Sequence, residues 1–190
     1  LAMFISGIAI LAVARKRWIP VYIAAAAALV LLAPPAYRDR IVTIWDPHYR
    51  TNVQRINMIK GGTSIFREHP VIGTGPVDLG DIYRENMPPG AVYVHGHMHN
   101  IFLQVAVTLG AVGLAAFVWL LAAMFIIVGR NLRLDLPPPE RALVAGSLGA
   151  MTGFVVNGLF DWNFGDAEVL TVMLIIVGLN AAIYRGIRSG

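Results

Sequence analysis

The stretch from Ile101 to Gly129, IFLQVAVTLGAVGLAAFVWLLAAMFIIVG, holds no Asp, Glu, Lys or Arg. About 20 apolar residues cross the hydrocarbon core of a bilayer as a helix. Inside lipid a backbone must satisfy its own hydrogen bonds, which leaves helices and closed barrels as the spanning structures. A run of this length therefore reads as a membrane helix. Composition extends the reading to the whole chain. It has 190 residues, of which 57% are hydrophobic and 14% charged, and its mean hydropathy is +0.65. A soluble domain carries about 25% charged residues. The sequence thus predicts an all-α polytopic membrane protein, a helical bundle in contact with membrane lipids. The net charge of +4 lies mostly at helix ends, where it sets orientation, and implies no nucleic-acid partner.

The spans follow from the apolar runs. Leu1–Ala14 is too short to cross and reads as a truncated span, as though the chain were the C-terminal part of a longer polytopic protein. Spans at about 18–36, 98–129, 142–160 and 169–184 make four complete ones. Residues 1–36 and 98–190 are thus membrane regions, and 37–97 is one large loop with short helices. The segments 15–17, 130–141 and 185–190 hold eight Lys or Arg in 21 positions, and the turn 161–168 holds none. The positive-inside rule makes the basic segments cytoplasmic and the long loop extracytoplasmic. There are no cysteines, so neither disulfide nor thiolate chemistry is available.

Within the loop, YRTNVQRINMIKGG has helical spacing and a glycine pair that reads as a C-cap at Gly61–Gly62. A second short helix, TSIFREH, follows before the turn-rich PVIGTGPVDLG. There Gly73 and Gly75 permit geometry or close approach that a side chain would block. In the fourth span Gly149 and Gly153 form a GxxxG, and Ala142, Gly146 and Ala150 repeat the step. Small residues at that spacing let helices approach closely in lipid.

The loop runs into the third span through His95, His97, His99 and Asn100. The three histidines share a face only if extended. Three protein ligands suffice for an open zinc site, but no carboxylate or Cys lies nearby in sequence, so the reading assigns no metal. His95 and His97 read as the aqueous lead-in. If a helix starts near Met98, then Asn100, Gln104 and Thr108 form one polar stripe, which must face protein or a water-filled cavity. Gly110 and Gly113 then mark a tight contact with a neighbour one turn deeper. His99 stands at the outer rim of that stripe, and imidazole, which titrates near pH 6.5, suits a general base. Asp161, Asp166 and Glu168 in the last outer turn read first as caps of the following helix, with orientation of His99 or an acceptor sugar as the alternative. Trp18, Trp45, Trp162 and Phe164 read as interfacial belt aromatics.

His99-Asn100, nine residues, then Gly110-Ala-Val-Gly113 resembles the pattern H-[NSQ]-x9-G-x-x-G of the O-antigen ligases and related polymerases. FREHPVIGTGP (66–76) is similar to that family's HP…G-x-G-P segment. The resemblance covers about residues 45–184, the C-terminal half of a full-length member. It implies a GT-C-like, metal-independent glycosyltransferase without cofactor, in a bacterial inner membrane with its active site on the periplasmic side. Members take a glycan from an undecaprenyl-diphosphate carrier to a hydroxyl on lipid A core, a polysaccharide or a protein. By the resemblance His99 is the base, and Arg55 is the best match for the arginine that contacts the donor diphosphate. Arg38, Arg50, Arg67, Asn100 and His97 are further substrate-binding candidates. Guanidinium grips phosphate oxygens bidentately and neutralises a diphosphate leaving group without a metal. Two other readings remain: a transporter or channel fragment whose polar stripe lines a path, and a zinc-dependent membrane hydrolase.

Overall fold

The computed structural model describes the chain apart from Tyr93, His95 and Gly190, and the side-chain surroundings of Arg40, Val42, Trp45, Ile187, Arg188 and Ser189 are likewise outside the described set. The lead-in role expected of His95 thus falls outside the described residues. Among the described residues every regular element is a helix. In order they are α1 (Ala2–Ala14), α2 (Ile19–Leu32), α3 (Pro35–Val42), α4 (Arg50–Glu68), α5 (Gly80–Glu85), α6 (Ile101–Asn131), α7 (Pro138–Gly158) and α8 (Ala167–Ser189).

Two helices are long and apolar enough to cross a membrane: α6 over Ile101–Asn131 and α8 over Ala167–Gly186. In a soluble protein such helices would be buried, yet only 22% and 11% of their most apolar windows are. Val112 and Trp119 on α6 are 62% and 73% exposed, and Leu174 and Ile175 on α8 are 60% and 56% exposed. Apolar surface of that extent suits lipid rather than water. The two helices fit the membrane protein that the sequence predicts. The apolar helix α1 is shorter, at 13 residues. Where the sequence predicts a span over 18–36, α2 covers Ile19–Leu32 and ends before Pro34, and Pro35 opens α3.

The chain divides into two compact units. The first comprises residues 1–24, 118–158 and 163–190. Here Gly149 of α7 lies against the Ile10 side chain of α1, and a β-carbon on Gly153 would stand 2.6 Å from Ser6 Oγ. The GxxxG row is therefore a contact face. The row of Ala142, Gly146 and Ala150 is exposed instead. Polar side chains join the other helices of this unit. Fully buried Asn131 of α6 donates to the Asn180 carbonyl at 2.8 Å, and Asn180 Nδ2 of α8 donates to Ser147 Oγ of α7 at 2.8 Å. Such bonds hold helices together where apolar burial supplies no drive.

The second unit comprises residues 25–117 and 159–162. Met58 and Ile65 of α4, Leu79, Tyr83 of α5, Met98 and Val107 of α6 make its core. The expected stop at Gly61–Gly62 is overturned, since α4 runs unbroken to Glu68 and absorbs the predicted second helix. Packing explains the glycines. A β-carbon at Gly61 would sit 2.6 Å from Tyr83 Cε2, and one at Gly62 would sit 2.8 Å from Leu103 Cδ2. The pair makes room for neighbours inside a helix rather than ending it.

Candidate active site

Four backbone hydrogen bonds set the frame of the site. Thr74 N and Gly75 N donate to the carbonyls of Val107 and Thr108, both at 2.9 Å, while Ala111 N and Val112 N donate to those of Pro70 and Val71 at 2.8 and 3.3 Å. The turn of residues 70–75 is thereby laced into a break in α6 at Gly110, whose φ is +66°. A break in a helix frees carbonyls on one side and amides on the other, and this turn takes up both. Gly73, also left-handed at φ +70°, is pressed against the Thr108–Leu109 peptide, and Gly110 against the Val71 carbonyl. Neither position has space for a β-carbon. Gly75 has φ +86° but open space beside it, and Gly113 lies against Leu109 of its own helix. The contact with a neighbouring element expected of the glycine pair is made at Gly110, and the nearest atoms to Gly113 are those of Leu109.

α6 starts one turn of loop later than expected. Asn100 Oδ1 accepts from Leu103 N at 2.9 Å, the N-cap bond to the third helical residue. The helix begins at Ile101 rather than near Met98, and Asn100 stands outside the stripe as its cap. Gln104 and Thr108 are buried in protein, Gln104 Oε1 accepting from Met98 N and Thr108 Oγ1 donating to the Gln104 carbonyl, each at 2.8 Å. The other end of the Asn100 amide donates to the Leu159 carbonyl at 3.0 Å. That bond holds the start of α6 beside residues 159–162.

Those residues deliver what the local sequence lacked. Asp161 Oδ1 lies 3.2 Å from His99 Nδ1. His99 itself has φ +42°, the one non-glycine with positive φ among the described residues. An Nδ1–H donated to the carboxylate fixes the tautomer and puts the ring's lone pair on Nε2. Partial burial works to raise the Asp161 pKa. The Trp162 amide bond, the His99 bond and the charges of His99 and His97 outweigh it and hold the carboxyl below its usual range. Of the three outer acids, Asp161 therefore serves His99 rather than a helix, whereas Glu168 lies in the first turn of α8. The His97 ring stands 4.2 Å from that of His99.

His99 and Arg55 line the same cavity, of about 240 Å³, with Asn52, Asn100 and Phe160. The Arg55 guanidinium lies 5.7 Å from the Phe160 ring centroid, a cation–π distance. Arg55 and Asn52 also line a second cavity of about 470 Å³, walled by Tyr37, Tyr49 and Thr51. Asn52 Nδ2 reaches the Thr43 and Asp46 carbonyls at 2.8 Å and clips that loop to α4. Neither Asn52 nor Phe160 is marked in the sequence by any motif. Arg38, Arg50 and Arg67 are exposed and do not line the His99 cavity. Arg67 is 12 residues beyond Arg55 on α4, about 18 Å along the axis.

The model of the O-antigen ligase family matches residues 1–118. The match starts well before the motif resemblance at about residue 45, includes Arg55, the HP…GTGP segment and the His99–Gly113 motif, and stops short of Asp161. No curated protein matches the chain. Spanning well over half of the sequence, the match shows that the chain belongs to the O-antigen ligase family.

Proposed function

We propose that this membrane glycosyltransferase of polysaccharide biosynthesis moves a glycan from an undecaprenyl-diphosphate carrier to an acceptor hydroxyl, with His99 as general base. The observation that supports the reading is that His99, tied to Asp161, shares a cavity with Arg55. In the reaction the acceptor oxygen bonds to the anomeric carbon as the bond from that carbon to the diphosphate oxygen breaks. His99 Nε2 takes the hydroxyl proton, and Asp161 stabilises the imidazolium that forms. Arg55 holds the diphosphate oxygens and offsets the charge that grows on the leaving group. Its guanidinium stands at cation–π distance from Phe160, and its planar fork suits a bidentate grip. A guanidinium can do this work alone, so the reaction is metal-independent. Asn100 acts by position, since its amide is engaged at both ends.

The enzyme is a multi-pass protein of a bacterial inner membrane. Its loop of residues 37–97 and its active site face the periplasm, and the acceptor is lipid A core, a growing polysaccharide or a protein. The two cavities that share Arg55 fit the two parts of a glycosyl diphosphate, with the sugar end at His99. Substituting Arg55→Ala should raise the donor KM in proteoliposomes supplied with a lipid-diphosphate glycan, while Arg67→Ala leaves it unchanged. Equal donor dependence for Arg55→Ala and the parent would remove the diphosphate role.

A further inference from the structure

The side chains around the base also make a set of metal donors. Taking one ligand atom each from His97, His99 and Asp161, all three lie within 4.8 Å of one another. Two ligands about 2.0–2.1 Å from a tetrahedral zinc stand about 3.3 Å apart. The His99–Asp161 edge, at 3.2 Å, already has that separation. The other edges need to close by at most about 1.5 Å to reach that spacing, a movement within reach of side-chain torsions at loop histidines. Two imidazoles and a carboxylate with an open position match the donors of zinc and similar borderline cations. Magnesium, by contrast, prefers oxygen ligands and retains its water. His97 and His99 are half-buried and Asp161 is exposed, so an ion has a way in.

We propose that His97, His99 and Asp161 form a binding site for zinc or a similar borderline divalent cation, and that occupancy of this site blocks transfer. With His99 Nδ1 on the ion, the ring proton stands on Nε2, which then has no lone pair for the acceptor proton, and Asp161 turns from hydrogen-bond partner of Nδ1 to ligand. Metal and acceptor proton thus compete for one imidazole. The inhibitory half rests on the base role proposed above, whereas the binding half does not.

The test separates the two. The purified protein in detergent is titrated with zinc chloride against a chromogenic chelator, with magnesium chloride in parallel. One zinc per chain is expected, with no magnesium bound at the same concentrations. His97→Ala and Asp161→Asn should each weaken zinc binding by about tenfold or more, with melting of each zinc-free variant as the check on folding. X-ray absorption at the zinc edge should count two imidazoles in the parent protein. Zinc affinity equal in the parent and both variants, or a zinc shell without imidazole, overturns the site. Zinc should inhibit transfer and a chelator restore it. Full transfer with zinc bound overturns the inhibitory role, and loss of activity in zinc-free His99→Ala tests the base separately.

Discussion

His99 holds a backbone φ of +42°, a region in which a β-carbon costs about 1–2 kcal/mol. Three features hold it there: the cap made by Asn100 one residue later, the Asp161 carboxylate on its ring, and the tie from Asn100 to Leu159. The strain is local to the proposed base, and the support comes from a distant turn. The histidine was legible in the sequence because of its motif. Asp161 was legible only as one of three acids, since no local pattern shows which one a turn 62 residues away will present. Asp161→Asn should lower kcat by about tenfold, part of the 10²–10⁴ that a general base contributes, with the donor KM unchanged. The same pair predicts a pH dependence of stability. A carboxyl held below its usual range stabilises the fold above its unfolded pKa, and that contribution disappears as pH falls through the lower native value. Melting curves should show a gap between the parent and Asp161→Asn at pH 5 that closes as pH falls below about pH 4.

At the scale of elements, the two motifs that carried the family resemblance meet in space. HPVIGTGP and the glycine that follows His99-Asn100 look unrelated in sequence, yet they pair through four backbone hydrogen bonds at the break in α6. Spacing alone could not reveal this, because a positive φ inside an apolar run leaves no mark except a glycine, and a packing residue leaves the same mark. The Gly61–Gly62 pair shows the reverse error, where packing glycines looked like a helix end. The geometry ranks the glycines. Gly73→Ala and Gly110→Ala combine a left-handed φ with a blocked β-carbon, and each should destabilise by about 2–5 kcal/mol. Gly75→Ala bears the φ cost alone and should lose about 1–2 kcal/mol. Thermal unfolding in detergent checks the order, and equal losses at Gly75 and Gly110 would contradict the laced turn.

For the whole molecule, the apolar runs announced the positions of the helices α6, α7 and α8 to within a few residues, and α6 and α8 are long and apolar enough to cross a membrane. The polar ties Asn131–Asn180–Ser147 were invisible, since single asparagines in long helices give no sign of which face is buried. Orientation rests on charge, and the absence of cysteine makes it simple to test. Pro88→Cys should react with an impermeant thiol reagent from outside the cell, and Asp135→Cys only after permeabilisation. Labelling of Asp135→Cys from outside, with Pro88→Cys reached only after permeabilisation, would reverse the topology, and labelling of both from one side would contradict it. The central claim is catalytic and is tested most directly by transfer in proteoliposomes holding a lipid-diphosphate glycan and an acceptor. His99→Ala, inserted and folded like the parent, should lose about 10²–10⁴-fold in kcat. Transfer at the parent rate by that variant would contradict the assignment of His99 as the base.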